Sequence, residues 1–266
     1  GADIRTGAAV ASILVENDRA AGVVLASGEE IRAPVVASAM NPATTLLGLL
    51  GARHLDTGLV RRLGNIRMKG TVAKVHLALD AAPAFTGVDG AGLGGRLLIA
   101  PSIGAVEGAF DASKYGELPA EPVMEITVPS ATDPDLAPAG KHVVSINAIF
   151  APAALKEGWE SGRAALLARV LAALDRHAPG LSATVVASEV LSPADLEARY
   201  RMPGGHWHHG ELAVDQMLML RPAPGLAQYE TPMAGLYLAG AGSHPGGGVS
   251  GAPALNAARR ILAAGR

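Results

Sequence analysis

Short runs of alternating apolar and polar residues dominate this chain, and one stretch alone carries a long helical stripe. Residues 9–16, 21–25 and 30–33 read as strands, joined by the turns Asn17-Asp18-Arg19 and Ser27-Gly28. Gly1-Ala2-Asp3-Ile4-Arg5 is already strand-like and no initiating Met precedes it, as expected of a shortened chain. Pro34 interrupts, and Val35, Val36 and Ala37 form a short buried strand. Asn41 then caps a helix over residues 44–50, with Pro42 in its first turn.

Further on, residues 71–79 alternate as a strand through Val75, Leu77 and Leu79, and residues 80–95 form a loop rich in Gly, Ala and Pro. Strands are expected at 97–100, 123–128, 142–150 and 185–191, and a helix at 105–114. Residues 163–177 form the clearest amphipathic helix, with Leu166, Leu167, Val170, Leu171 and Leu174 on one stripe and Pro179-Gly180 as its stop. Ser192 caps another helix that opens with Pro193. Residues 202–234 are loop-rich, and the chain closes with a strand at 236–239, a glycine-rich loop and a helix at 256–264. The two ends read as one α/β unit and the middle as an insertion, giving a mixed α/β fold overall.

Composition narrows the function classes. The formal charge is −2 and no basic stripe carries interleaved aromatics, so no nucleic-acid partner is expected. The absence of cysteine excludes disulfides, thiolate metal sites and a redox dithiol. No run of eighteen apolar residues occurs, so no transmembrane segment is expected, and the default compartment is cytoplasmic.

The closing segment carries the chemistry. Between the strand at 236–239 and the last helix stand Gly240, Gly242, Gly246, Gly247, Gly248 and Gly251. Glycine removes side chains where something approaches the backbone, and a following helix N-terminus offers free N–H groups and a positive dipole end. The segment therefore points to a nucleotide-type cofactor; a tight turn without a ligand needs fewer glycines.

The tail Gly235-Leu-Tyr-Leu-Ala-Gly-Ala-Gly-Ser-His-Pro-Gly-Gly-Gly-Val-Ser-Gly-Ala-Pro253 resembles the C-terminal FAD motif of phytoene desaturase-like flavoproteins. His209-Gly-Glu-Leu-Ala-Val-Asp-Gln216 and Leu220-Arg-Pro-Ala-Pro-Gly225 resemble the subgroup of pyridine nucleotide-disulfide oxidoreductase domain 2-like proteins. Ile4–Val10 and Val35–Pro42 also fit. The resemblance implies the C-terminal part of a two-domain FAD-dependent fold, of the amine oxidase and phytoene desaturase type. Residues 1–45 and 233–266 would be the remaining part of a discontinuous FAD-binding domain. Residues 46–232 would be a substrate domain with a mixed sheet and helices.

Relatives carry a Rossmann GxGxxG near the N-terminus; Gly90-Ala-Gly-Leu-Gly-Gly95 imitates it but lacks the flanking strand and helix and reads as a loop. The partners implied are a small apolar substrate and the missing N-terminal segment of the same protein. FAD would belong to the full-length protein and be weakly bound or absent in this chain alone. By the same resemblance Gly240, Ala241 and Gly242 lie along the FAD ribityl and phosphate, and Gly247, Gly248 and Val249 approach the isoalloxazine. There backbone N–H groups would stabilise the reduced flavin. Val10 touches the adenine end by resemblance, whereas its own sequence reads as plain sheet core. His244, inside the loop, would bond the cofactor or cap the helix. Two positions depart from the pattern: Ala254-Leu255-Asn256 replaces the usual Gly-Arg-Asn, and Ser243 replaces Thr.

His206-Trp207-His208-His209 is the densest polar cluster. Adjacent side chains diverge, so no zinc site is expected. His209 is the candidate acid/base or orienting group, with a structural loop histidine as the alternative. Arg221 is expected to anchor its loop through a carboxylate such as Asp215, and Met217 and Met219 to pack in the core. The activity expected is hydride transfer from an apolar substrate to flavin. The alternatives are an FAD-dependent isomerase or amine oxidase, and a catalytically inactive flavoprotein-like binding module.

Overall fold

A computed structural model describes residues 1–265. They form two compact units: Gly1–Met68 together with the chain from Trp207 onward, and Lys69–His206. The division lies further into the middle than 45 and 233. Leu46, Leu50, Leu59 and Leu63, with Ala223 and Leu226, share one core with Ile13, Leu236 and Leu238, which draws both flanking stretches into the first unit.

The first unit opens with an antiparallel sheet of β1 (Val10–Glu16), β2 (Arg19–Leu25) and β3 (Glu30–Arg32). Asn17 and Asp18 turn between the first two strands with φ of 50° and 58°, a left-handed conformation these residue types tolerate. Residues 1–9 form no strand, contrary to the sequence pattern; Arg5 instead forms an ion pair with Glu29 at 2.8 Å. After β4 (Val36–Ser38), the Asn41 side chain accepts the Ala43 and Thr44 N–H groups at 2.9 and 3.3 Å, as the cap reading expects. The helix it starts is a π-helix over Thr44–Gly51, followed by a 3-10 turn. Helix α1 (Thr57–Gly64) is capped by Asp56, which accepts the Leu59 N–H at 2.9 Å.

The second unit holds β5 (Val72–Leu79), β6 (Arg96–Ile99), α2 (Ile103–Lys114), β7 (Val123–Thr127), β8 (His142–Ile149), α3 (Trp159–His177), β9 (Val185–Leu191) and α4 (Pro193–Tyr200). Its sheet runs β6-β7-β8-β5-β9, and every pairing within this sheet is antiparallel, not mixed. Strict alternation in β5 sends Ala73, Val75, Leu77 and Leu79 to one face, where they share a core with Leu166, Val170 and Leu174 of α3. α3 starts a turn before its apolar stripe because Trp159 is buried there, its indole N–H donating to the Pro152 carbonyl at 3.1 Å. Ser192 and Asp195 form a reciprocal capping box at the start of α4.

The chain then returns to the first unit. β10 (Leu236–Leu238) pairs in parallel with β4, Leu236 opposite Val36, so the two ends do form one α/β unit. α5 (Ala252–Ala264) begins four residues before the sequence suggests, directly after Gly251 at φ 72°. Among the described residues no helix is long and apolar enough to cross a membrane.

Candidate functional site

The glycines of the closing loop divide by what they meet. A Cβ on Gly240 would overlap the Ala39 backbone, and one on Gly242 would overlap Pro42. These two let β10 and the following turn lie against the end of β4 and the start of the π-helix; protein, not ligand, occupies that side. At Gly246 a Cβ would overlap the Arg221 guanidinium. Gly247 meets only Leu212 and His208, at 3.6 and 3.7 Å, and Gly248 and Gly251 meet nothing within 4 Å. All four from Gly246 to Gly251 have φ between 65° and 78°, the left-handed region that favours glycine. Val249 stands fully exposed.

Arg221 is the centre of this region. Only 2% exposed, it donates to the carbonyls of His208, Glu211 (3.3 Å), Gln216 (3.3 Å) and Ala241 (3.0 Å), with longer contacts to Gly210. The expected bond to Asp215 is not made. Asp215 and Glu211 instead bind Arg67, at 2.7 and 3.0 Å, which also lowers the Asp215 carboxyl. Arg67 sits in the same unit and is exposed, so its two acids stay at the rim, while the buried guanidinium takes main-chain oxygens.

The histidines join the two segments. His208 Nδ1 faces the Gly248 N–H at 2.8 Å, and its Nε2 faces the Trp207 indole N–H at 3.0 Å. A neutral imidazole has one acceptor nitrogen, so these two donors compete for it. His209 has φ 57°, its Cβ would lie against a side chain at Gly242, and its carbonyl accepts from Asn41 at 3.4 Å. Burial first, and the Arg221 charge second, push both rings below the usual histidine range. The folded protein therefore binds fewer protons than the unfolded chain. The stability this gives is present above the unfolded value of about 6.5 and is lost as pH falls through the folded values. Urea unfolding in a Trp159→Phe background, followed by Trp207 fluorescence, should show the first unit weakening from pH 7 to pH 5. His208→Asn should flatten that slope; an unchanged slope would assign it elsewhere.

Four buried side-chain atoms in this region have no hydrogen-bond partner among the described residues: His209 Nδ1, Ser243 Oγ, His244 Nδ1 and Arg221 Nε. Native proteins leave few such groups unless a ligand or water completes them. With nothing beside Gly248 and Gly251, these atoms fit a polar cofactor over residues 243–251. Gly240, Ala241 and Gly242 fit it less directly, because Ala241 O already accepts from Arg221 and from the Gly247 N–H (3.3 Å). Val10 lies at the start of β1, opposite Leu25. Among the described residues no group of three or more His, Asp or Glu is arranged to hold a metal. Met219 is exposed rather than in the core.

Sequence reasoning missed a second polar row, in the other unit. Lys74 Nζ donates to Asn147 Oδ1 at 2.8 Å, Asn147 Nδ2 donates to Glu125 at 3.0 Å, and Glu125 pairs with Arg96. The row crosses β5, β8, β7 and β6 on the face opposite the core. Burial lowers the Lys74 ammonium, which Glu125 opposes. The signal was present in the sequence: Lys74, Asn147, Glu125 and Arg96 stand at positions that alternate with the core-facing apolar residues of their strands.

The first unit is discontinuous, its closing stretch is a strand, a glycine loop and a helix, and the antiparallel sheet unit is inserted between its two stretches in sequence. The chain matches the flavin containing amine oxidoreductases over residues 1–262, and it belongs to that family. It is 36% identical over 275 residues to pyridine nucleotide-disulfide oxidoreductase domain-containing protein 2 of Mus musculus, covering 98% of this chain and 47% of that protein. It is 31% identical over 270 residues to phytoene desaturase (neurosporene-forming) of Cereibacter sphaeroides, covering 94% and 47%. The chain thus spans about half the length of these relatives. The crystal structure of an oxidoreductase from Methanosarcina mazei shares the fold, with a TM-score of 0.57, 18% identity, and coverage of 96% of this chain and 48% of that one.

Proposed function

We propose that these residues are the C-terminal part of an FAD-dependent oxidoreductase that takes a hydride from a small apolar substrate. The first unit would hold the flavin, together with a preceding segment of the same protein, and the second unit would serve the substrate. The observation that carries this is the loop of residues 243–251, open beside Gly248 and Gly251 and backed by buried, unpartnered polar atoms. When bound, the flavin supplies a two-electron acceptor. Gly247 and Gly248 let the backbone approach it, while Ser243 and His244 supply polar partners. His209, kept toward its neutral form by burial and the Arg221 charge and with its Nδ1 unpartnered, is the candidate orienting or acid/base group. Support for an apolar substrate comes from Leu212, exposed and set against Gly247, and from Val249, fully exposed within the loop itself.

The visible spectrum of the full-length protein tests the reading. Oxidised-flavin bands that bleach anaerobically with substrate are expected; a colourless protein that stays so after added FAD would favour a binding module without catalysis. The 266 residues alone are expected to bind FAD weakly. His209→Asn, which tolerates the left-handed backbone, should lower kcat about 100-fold or more while KM changes little. A kcat within a fewfold of wild type would make His209 structural.

A further inference from the structure

The charges around the glycine loop do not cancel. Arg221 is buried and solvated by main-chain carbonyls. The two acids on its own segment, Glu211 and Asp215, are both bound by Arg67. His208 and His209, which also face it, are held toward their neutral forms. A guanidinium keeps its proton in any protein environment, so a full positive charge lies beneath the loop with no carboxylate of the described residues against it. Its Nε, unpartnered and buried, is the atom that a side chain at Gly246 would strike. The loop that turns over this charge is also tied to it, through the Ala241 carbonyl at 3.0 Å.

We propose that Arg221 is a positioning residue that also acts through its field: it makes the glycine loop favour the reduced, more negative form of the flavin over the oxidised, neutral form. This rests on the flavin reading above. A purely structural role would weaken both forms alike, because it only shapes the loop. A charge in a water-poor site separates them, because attraction to an added negative charge is stronger there than in water. The side chain need not touch the flavin for this.

The midpoint potential of the flavin-loaded protein separates the two roles. Arg221→Met should weaken binding of the reduced form relative to the oxidised form by about tenfold, which for a two-electron couple lowers the potential by about 30 mV. Arg221→Lys, which keeps the charge but loses the planar fork, should hold the potential near wild type while both forms bind more weakly. Should the Met variant not fold, Arg221→Gln keeps donors without charge and carries the same comparison. An unmoved potential in the loaded neutral variant, or a Lys variant that falls as far, overturns the inference. A wild-type protein that takes up no flavin overturns the functional reading and this inference with it.

Discussion

Gly246→Ala is expected to destabilise the first unit by about 4 kcal/mol, the sum of a left-handed backbone at φ 78° and an overlap with a buried side chain that has nowhere to move. Arg221 is held by several carbonyls, so the new methyl group cannot push it aside cheaply. Gly248→Ala has the same backbone demand, φ 65°, but no overlap, and should cost about 1–2 kcal/mol. Urea unfolding read by Trp207 fluorescence compares the two. Flavin affinity should show the reverse bias relative to stability, Gly248→Ala losing more binding than its small stability loss explains. Equal losses of stability would mean that conformation alone selects these glycines.

Arg221→Met is expected to lower the stability of the same unit by about 3–5 kcal/mol, because the buried carbonyls of Gly210 and Gln216 would lose the Arg221 donor, and those of Glu211 and Ala241 would keep only the Gln216 amide and the Gly247 N–H. The loss exceeds that of a surface arginine. Arg67→Met, where the arginine itself is exposed, should cost about 1 kcal/mol. Arg221→Lys should recover part of the difference, since an ammonium offers three donors but not the fork. Thermal unfolding of the three variants checks the order; an Arg221→Met loss no larger than that of Arg67→Met would mean that the carbonyls find other donors.

Much of the fold was legible because its signals are local. The alternation of β5, the stripe of α3 and the Asn41 and Ser192 caps each occupy one short window, and each stands where the pattern places it. α1 escaped because eight residues with two buried leucines give too little period to read. The site was harder. The glycine loop was visible, but glycine alone does not say whether protein or ligand occupies the missing side chain's place. Gly240 and Gly242 answer to Ala39 and Pro42, two hundred residues away in the chain, and only a parallel β4–β10 pair brings them together. Arg221 was assigned the nearest acid in sequence, whereas burial selected main-chain oxygens and left Asp215 to the exposed Arg67. The polar row from Lys74 to Arg96 depends on the order of four strands, which no single strand encodes.

The central claim is that residues 243–251 seat the flavin. Hydrogen exchange of the full-length protein with and without FAD tests it most directly. The account predicts new protection centred on the amides of 243–251, with a smaller effect around His209. Flavin binding that leaves those amides unprotected, with protection elsewhere alone, would contradict it.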